Sequence, residues 1–244
     1  MALWDHYETN IFRDPSMPDA LKLTSLPLFP LGTVLYPGGL LPLQIFEVRY
    51  LDMIGKAFKA GAPFGVVLLT QGAEVRQRGA SDANSNNSNG PPSGDGFANE
   101  AFHAMGTLAT ITELSKPQAG LMVIQCVGTQ KFEITRREKL RHGLWVGDVT
   151  CLPNDQTVEI PPDLQVAADT LGQVIKNLQE RSPNEGAMPL QAPYQLEDAG
   201  WVANRWCELL PILPELKHRL MALDNPLVRL ELVHDILQKT GIAP

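Results

Sequence analysis

Cys207, His218 and His234 are of the residue types that ligate zinc, and they fall on three predicted helices that a fold could bring together. Structural zinc sites usually draw paired ligands from C-x-x-C or H-x-x-x-H, because one turn then delivers two donors to one ion. The chain has neither spacing. Structural or solvent-facing roles are therefore the expectation for these residues, with no metal and no other cofactor. Cys126 would need a histidine partner and an exposed, electropositive setting to act as a nucleophile. It lies inside an apolar run instead, where a free cysteine packs as a small hydrophobe. A phosphate-binding loop needs G-x-x-x-x-G-K-[ST], whose backbone amides and lysine hold the phosphates. The Gly55-Lys56 pair is followed by Ala57 and has Tyr50 where the first glycine belongs. Ser115-Lys116 are neighbours in a predicted turn, so their side chains diverge and make no Ser-Lys dyad. The expectation is a chain that is not an enzyme.

The elements that carry these residues change character along the chain. Residues 1–22 read as an extended lead-in. From Ser25 to Tyr50 short apolar pairs alternate with proline and glycine. Proline removes a ladder donor and belongs at strand ends, edges and bulges. The stretch predicts two or three short, kinked strands and a tight turn at Pro37-Gly38-Gly39. Val48, Leu51, Ile54, Ala57 and Phe58 then recur at helical spacing, predicting one buried face for a helix over Glu47–Lys59, stopped by Gly61 and Pro63. Phe64–Thr70 predicts a buried strand. Residues 80–96 are small and polar, rich in Asn, Ser, Gly and Pro, and predict a flexible surface loop. Strands are expected at Gly106–Leu114, Leu121–Val127, Gln130–Thr135 and Leu144–Thr150, with breaks at Lys116–Gly120, Gly128 and Arg141–Gly143. Their close spacing predicts antiparallel pairing in a sandwich or partly open barrel.

After Pro161-Pro162 only helical periods remain. Helices are predicted over Asp163–Arg181, over Asp198–Leu210, and from Pro214 to a stop before Asp224. A last helix, capped by Asn225 with Pro226 as its first residue, runs to about Lys239 with Gly241 just past its end. The expected division is 1–22 lead-in, 23–155 β-rich subdomain and 156–244 α-helical subdomain.

The chain of 244 residues carries 20 basic and 27 acidic residues, a net charge of −7. That balance argues against a nucleic-acid binder, which needs a basic face to displace counterions from phosphates. No run approaches the roughly 18 apolar residues that cross a bilayer, so no membrane partner is expected. The start, MALWDHYETNIFRD, has no basic region followed by an apolar one, and so reads as lacking a secretory signal. Three widely spaced cysteines fit a reducing, cytoplasmic setting better than a disulfide framework.

Leu26–Ile54 reads LPLFPLGTVLYPGGLLPLQIFEVRYLDMI. It resembles the signature of the Lon protease amino-terminal, substrate-recognition domain family. The family's P-L-F-P-L, V-L-F-P-G and L-P-L-x-I-F-E-x-R-Y pieces correspond here to Pro27–Leu31, Val34–Gly38 and Leu41–Tyr50, with Tyr36 in place of phenylalanine. Gly106-Thr107-Leu108-Ala109 before Ile111 is similar to its G-T-L-A-x-I strand. Gly128, Phe132 and Ile134 are similar to G-x-x-R-F-x-I, with Lys131 where arginine is usual. WVANRWCELLPI and LDNPLVRLELV resemble its helical portion, so the likeness spans roughly residues 24–240. It implies an α+β fold: an N-terminal β-rich pseudo-barrel with one helix, followed by a C-terminal helical bundle. In full-length Lon proteases this region helps to capture substrate and assemble the hexamer. The resemblance implies a freestanding copy without the ATPase and protease domains, and a polypeptide partner.

Glu47 falls where a carboxylate favours a helix start, and Arg49 is expected to pair with an acidic residue and hold the helix to the sheet. Trp201 and Trp206 are expected to pack in the core, with an exposed patch as the alternative. The apolar loops at 31–40 and 114–121 adjoin sheet edges, where an extended polypeptide can add. Tyr36, Leu40 and Leu114 are the candidate peptide-binding residues, against the alternative that they fill the barrel's end. The functional expectation is a non-catalytic module that binds unfolded or hydrophobic protein segments. Its rivals are a scaffold or adaptor for a separate ATPase-protease and, less favoured, a small-molecule binder between the halves. Oligomeric state is left open.

Overall fold

A computed structural model of the chain describes residues 12–13, 21–71, 100–181 and 188–242. Most of the predicted lead-in, all of the predicted loop at 80–96 and residues 182–187 lie outside these. The strands are β1 (Phe12–Arg13), β2 (Leu21–Leu31), β3 (Leu40–Ile45), β4 (Phe64–Gln71), β5 (Ala101–Gln118), β6 (Leu121–Lys139) and β7 (Trp145–Cys151). The helices are α1 (Val48–Ala60), α2 (Gln165–Arg181), α3 (Ala199–Leu209), α4 (Pro214–Met221) and α5 (Pro226–Lys239).

Five strands close on one another. β2 pairs with β4, β4 with β5, β5 with β6, β6 with β7, and β7 returns to β2. All of these pairs are antiparallel except β2–β4, which β3 and α1 separate in sequence and make parallel. β1 adds to the far end of β2, and β3 adds to β6. Between Ser25 and Tyr50 the expected short strands are instead one strand of 11 residues and one of six. The kink survives as a register shift between Leu23 and Leu26, where Ser25 takes a positive φ and donates its N–H to Asp148.

β6 corrects a second expectation. The strands predicted on either side of Gly128 are one, 19 residues long. Its first part pairs with β3 through Met122–Val127 and its second with β7 through Phe132–Lys139. Gly128 is no break. A Cβ there would overlap the carbonyl oxygen of Tyr36, so this glycine marks a close backbone approach within a strand.

The helix boundaries follow the capping signals. Asp198 accepts the Gly200 N–H, and Asn225 accepts the N–H groups of Leu227 and Val228 ahead of Pro226. α1 ends on Gly61 at a φ of 63°, a conformation that glycine adopts without strain. α3 packs against α2, α4 and α5. Its Val202, Ala203, Trp206 and Cys207 form a core with Leu171, Ile175, Leu230 and Val233. A separate core lies under α1, and a third fills the strand ring around Phe132. No helix among the described residues is long and apolar enough to cross a membrane.

Candidate functional site

The tight turn at Pro37–Gly39 is clasped from two sides. Gly38 N–H donates to the Gly128 carbonyl (2.8 Å), Gly128 N–H donates to the Gly39 carbonyl (2.9 Å), and Gly39 N–H closes the turn onto Tyr36 (2.9 Å). Gly38 has a φ of 73°. From α3, the buried Arg205 guanidinium donates to the carbonyls of Gly38 and Pro37 and pairs with Glu208 at 2.9 Å. Tyr36 is fully buried in the helical core, and its hydroxyl donates to the Lys217 carbonyl of α4 at 2.5 Å. Burial pushes the Tyr36 phenol far above its ordinary range. It also pushes Glu208 up to about 7, against the opposing pull of Arg205 and Lys217. These residues join the sheet to the helices. Tyr36→Phe is expected to cost about 1 kcal/mol in urea unfolding, the usual net worth of one hydrogen bond.

The second half of the same stretch is anchored by Arg49. Its Nε donates to Glu47 (2.9 Å), one Nη to the Gly143 carbonyl (2.9 Å) and the other to Glu100 (3.1 Å). Trp145 donates to the same Glu100 carboxylate at 2.7 Å. The guanidinium lies 4.5 Å from the Tyr50 ring centre, and Tyr50 stacks on Phe29 at 4.0 Å. Arg49 thus holds α1 to the sheet, as expected. Glu47 occupies the N-cap position but makes no side-chain cap bond, because its carboxylate faces Arg49.

This anchoring turns α1. Its buried residues are Arg49, Tyr50, Met53, Ile54 and Ala57. Val48 and Phe58, placed by periodicity on the buried face, are exposed. Val48 is 81% exposed and the adjacent Phe46 51%. Phe46 lines a cleft of about 190 Å³ together with Phe29 and Leu31 of β2, Pro42–Ile45 of β3, Glu47 and Tyr50. A cavity of roughly 150 Å³ accepts a benzene ring, so the cleft has room for one bulky apolar side chain. β2 and β3 approach here without pairing. A larger cavity, about 640 Å³, opens between the sheet and α5. Of its lining charges, Lys131 and Asp155 pair at 3.3 Å, and Asp155 also takes Arg229.

The family model for the ATP-dependent protease La (LON) substrate-binding domain matches residues 25–239. The chain belongs to the Lon substrate-binding domain family. A crystal structure of a Lon N-terminal domain protein from Xanthomonas campestris is similar at 29% identity and a TM-score of 0.62, with 87% of this chain and 98% of that one covered. The N-terminal domain of Lon protease from the Mycobacterium avium complex is 16% identical, with a TM-score of 0.49 and coverage of 86% and 96%. Among curated proteins no match is found.

In this Lon-family domain the three candidate peptide-binding residues do not share a surface. Tyr36 is in the helical core, because its hydroxyl finds a partner only there. Leu114 lies opposite Ile124, which lies opposite Leu43, on the side of the core under α1. Leu40 lies opposite Val127, three residues along β6 and therefore on the other face. Phe46, which lines the cleft, and the exposed Val48 beside it were not named by sequence reasoning, and a helical period placed Val48 on the buried face. The signal available was the Phe46–Val48 pair bracketing a helix start whose Arg49 and Tyr50 must be buried together.

The reactive side chains are dispersed. Cys126 is buried, and burial pushes its thiol up to about 12. Cys207 is buried in the helical core. His218 stacks on His103 at 3.9 Å and donates to the Met105 carbonyl, and burial lowers its pKa. His234 lies apart on α5. Among the described residues no three His, Cys, Asp or Glu side chains group to hold a metal. Trp206 is buried and donates to the Ala167 carbonyl, and Trp201 packs against the same core.

Proposed function

We propose that this domain is a non-catalytic, cytoplasmic recognition module that binds apolar segments of unfolded polypeptide at the cleft between β2, β3 and the start of α1. The observation that carries this reading is the pairing of an apolar, side-chain-sized cleft, lined by the exposed Phe46, with a second exposed hydrophobic residue, Val48, two positions further on at the start of α1. Single exposed apolar residues are ordinary, whereas apolar residues gathered at a cleft mark a binding surface. The family match supports the same reading, since the family is that of a substrate-binding domain.

The test is fluorescence anisotropy of a labelled, permanently unfolded polypeptide titrated with the domain. Val48→Asp is expected to weaken binding about ten-fold or more, since burying a valine contributes about 1.5 kcal/mol or more and a charge would resist desolvation. Its Tm should stay unchanged, because Val48 contributes little to the core. ATP should have no effect on the titration. Unchanged affinity in both Val48→Asp and Phe46→Asp would sink the reading.

A specific observation also favours the adaptor alternative. Leu213, ahead of α4, is 75% exposed, and Val228 and Leu232 lie one turn apart on α5 and are exposed. Capture of a folded ATPase-protease that is lost with Leu213→Asp but kept with Val48→Asp would favour that reading.

A further inference from the structure

We propose that the outer edge of β3 selects its polypeptide by antiparallel strand addition in a fixed phase, with Pro42 leaving one bond unmade. The proposal rests on the peptide-binding reading above and names the substrate class: extended segments with bulky apolar residues at alternate positions and no proline at the intervening ones.

The phase follows from one hydrogen bond. Gly128 N–H donates to the Gly39 carbonyl, in the same register that carries Leu40 opposite Val127 and Ile45 opposite Met122. In an antiparallel ladder, bonding pairs alternate with non-bonding ones. Leu41, Leu43 and Ile45 therefore exchange bonds with β6. The backbone groups of Leu40, Pro42 and Gln44 face outward, where no described strand pairs with β3. Pro42 sits where its missing N–H costs the ladder nothing, which is why a proline is tolerated within this strand.

The outward edge is consequently rich in acceptors. It offers three carbonyls, those of Leu40, Pro42 and Gln44, against the two N–H groups of Leu40 and Gln44. An added antiparallel strand must present N–H groups to those carbonyls from every second residue. The residues between them turn their side chains to the same side as Leu41, Leu43 and Ile45. Leu43 and Ile45 line the cleft with Phe29, Leu31 and Tyr50, all part of or packed against the core under α1. One set of alternate residues therefore supplies hydrogen bonds and the other supplies the apolar anchor.

The experiment uses the full chain and a fluorescein-labelled peptide of about ten residues alternating phenylalanine or valine with threonine or lysine. Single N-methyl groups are moved along it. Affinity is expected to fall roughly five-fold at each of the threonine or lysine positions that meet β3 and to hold at the intervening ones, since each blocked bond is worth about 1 kcal/mol. On the protein side, Pro42→Ala restores the third N–H and is expected to tighten binding by about the same factor, a gain that misfolding cannot mimic. A scan without a period of two, together with no gain from Pro42→Ala, overturns strand addition. If Phe46→Asp still abolishes binding in that case, the cleft reading stands and only the strand mode fails. If Val48→Asp and Phe46→Asp are also silent, both fail.

Discussion

Arg229→Ala is expected to lower the stability of the domain by about 3–5 kcal/mol, the cost of removing one partner from a buried charged network. Arg229 is 1% exposed on α5. Its guanidinium reaches the Asp155 carboxylate, the Asn204 side-chain oxygen (3.0 Å), and the carbonyls of Leu220 (2.9 Å) and Leu223. Deleting it leaves Asp155 with Lys131 alone at 3.3 Å, takes the guanidinium from the Leu223 carbonyl and leaves the Leu220 carbonyl only the Leu223 N–H at 3.3 Å. Urea unfolding reads the result as a lower midpoint at unchanged slope. A loss below about 1 kcal/mol would mean that water replaces the guanidinium and the network is not closed.

The same network sets an acid limit. Burial alone would push the Asp155 carboxyl up, but the hydrogen bond and charge of Arg229, with those of Lys131, outweigh it and hold the group below the ordinary aspartate range. A folded-state pKa below the unfolded one stabilises the fold fully above about pH 4, and that contribution disappears as pH falls through the folded value. Arg229→Ala should flatten this acid limb of the stability profile as well as lower it.

Gly128→Ala is expected to cost about 3 kcal/mol, at the upper end for overpacking. The new methyl would overlap the Tyr36 carbonyl oxygen and meet Leu35 Cγ at 2.9 Å. Relief requires the 36–39 turn to back away from β6, breaking both bonds of Gly128 and pulling Gly38 from Arg205. Gly120→Ala is the control. Gly120 also needs a positive φ, 77°, but nothing lies within 4 Å of its Cβ position, so about 1 kcal/mol is expected. Thermal unfolding of the two variants separates steric overlap from backbone strain. Equal Tm shifts would show that the turn yields easily.

Local chemistry was legible in the sequence. Asn225-Pro226 and Asp198 announced two helix starts, Gly61 announced a stop, and apolar runs of strand length gave β4 and β7. What escaped depends on groups far apart in the chain. Gly128 reads as a turn residue until Tyr36 is laid across it. Arg205 on α3 carries no local sign that its guanidinium will meet Pro37 and Gly38, 168 and 167 residues away. Val48 fits a buried helical face until Arg49 claims Gly143 and Glu100 and rotates the helix. The parallel β2–β4 pair, which closes the strand ring, has no signature within either strand. The family-like stretch is therefore mostly a joint. Pro37–Gly39 and Arg49 hold parts together, while Pro42, Gln44 and Phe46 face the surface in the cleft and Val48 stands exposed at the start of α1.

That joint also decides how the molecule bears force. Arg229 on the last helix grips the segment after β7 through Asp155, and Arg205 grips the turn before β3. A pull on the carboxyl end is passed at once into the sheet by side chains crossing from helix to loop, so the terminal helix cannot peel away by itself. The bonds it loads lie between distant segments and must yield together. Stretched between its ends, the described fold should give way in one abrupt event, and a partner that tugs on a captured chain would meet a rigid handle.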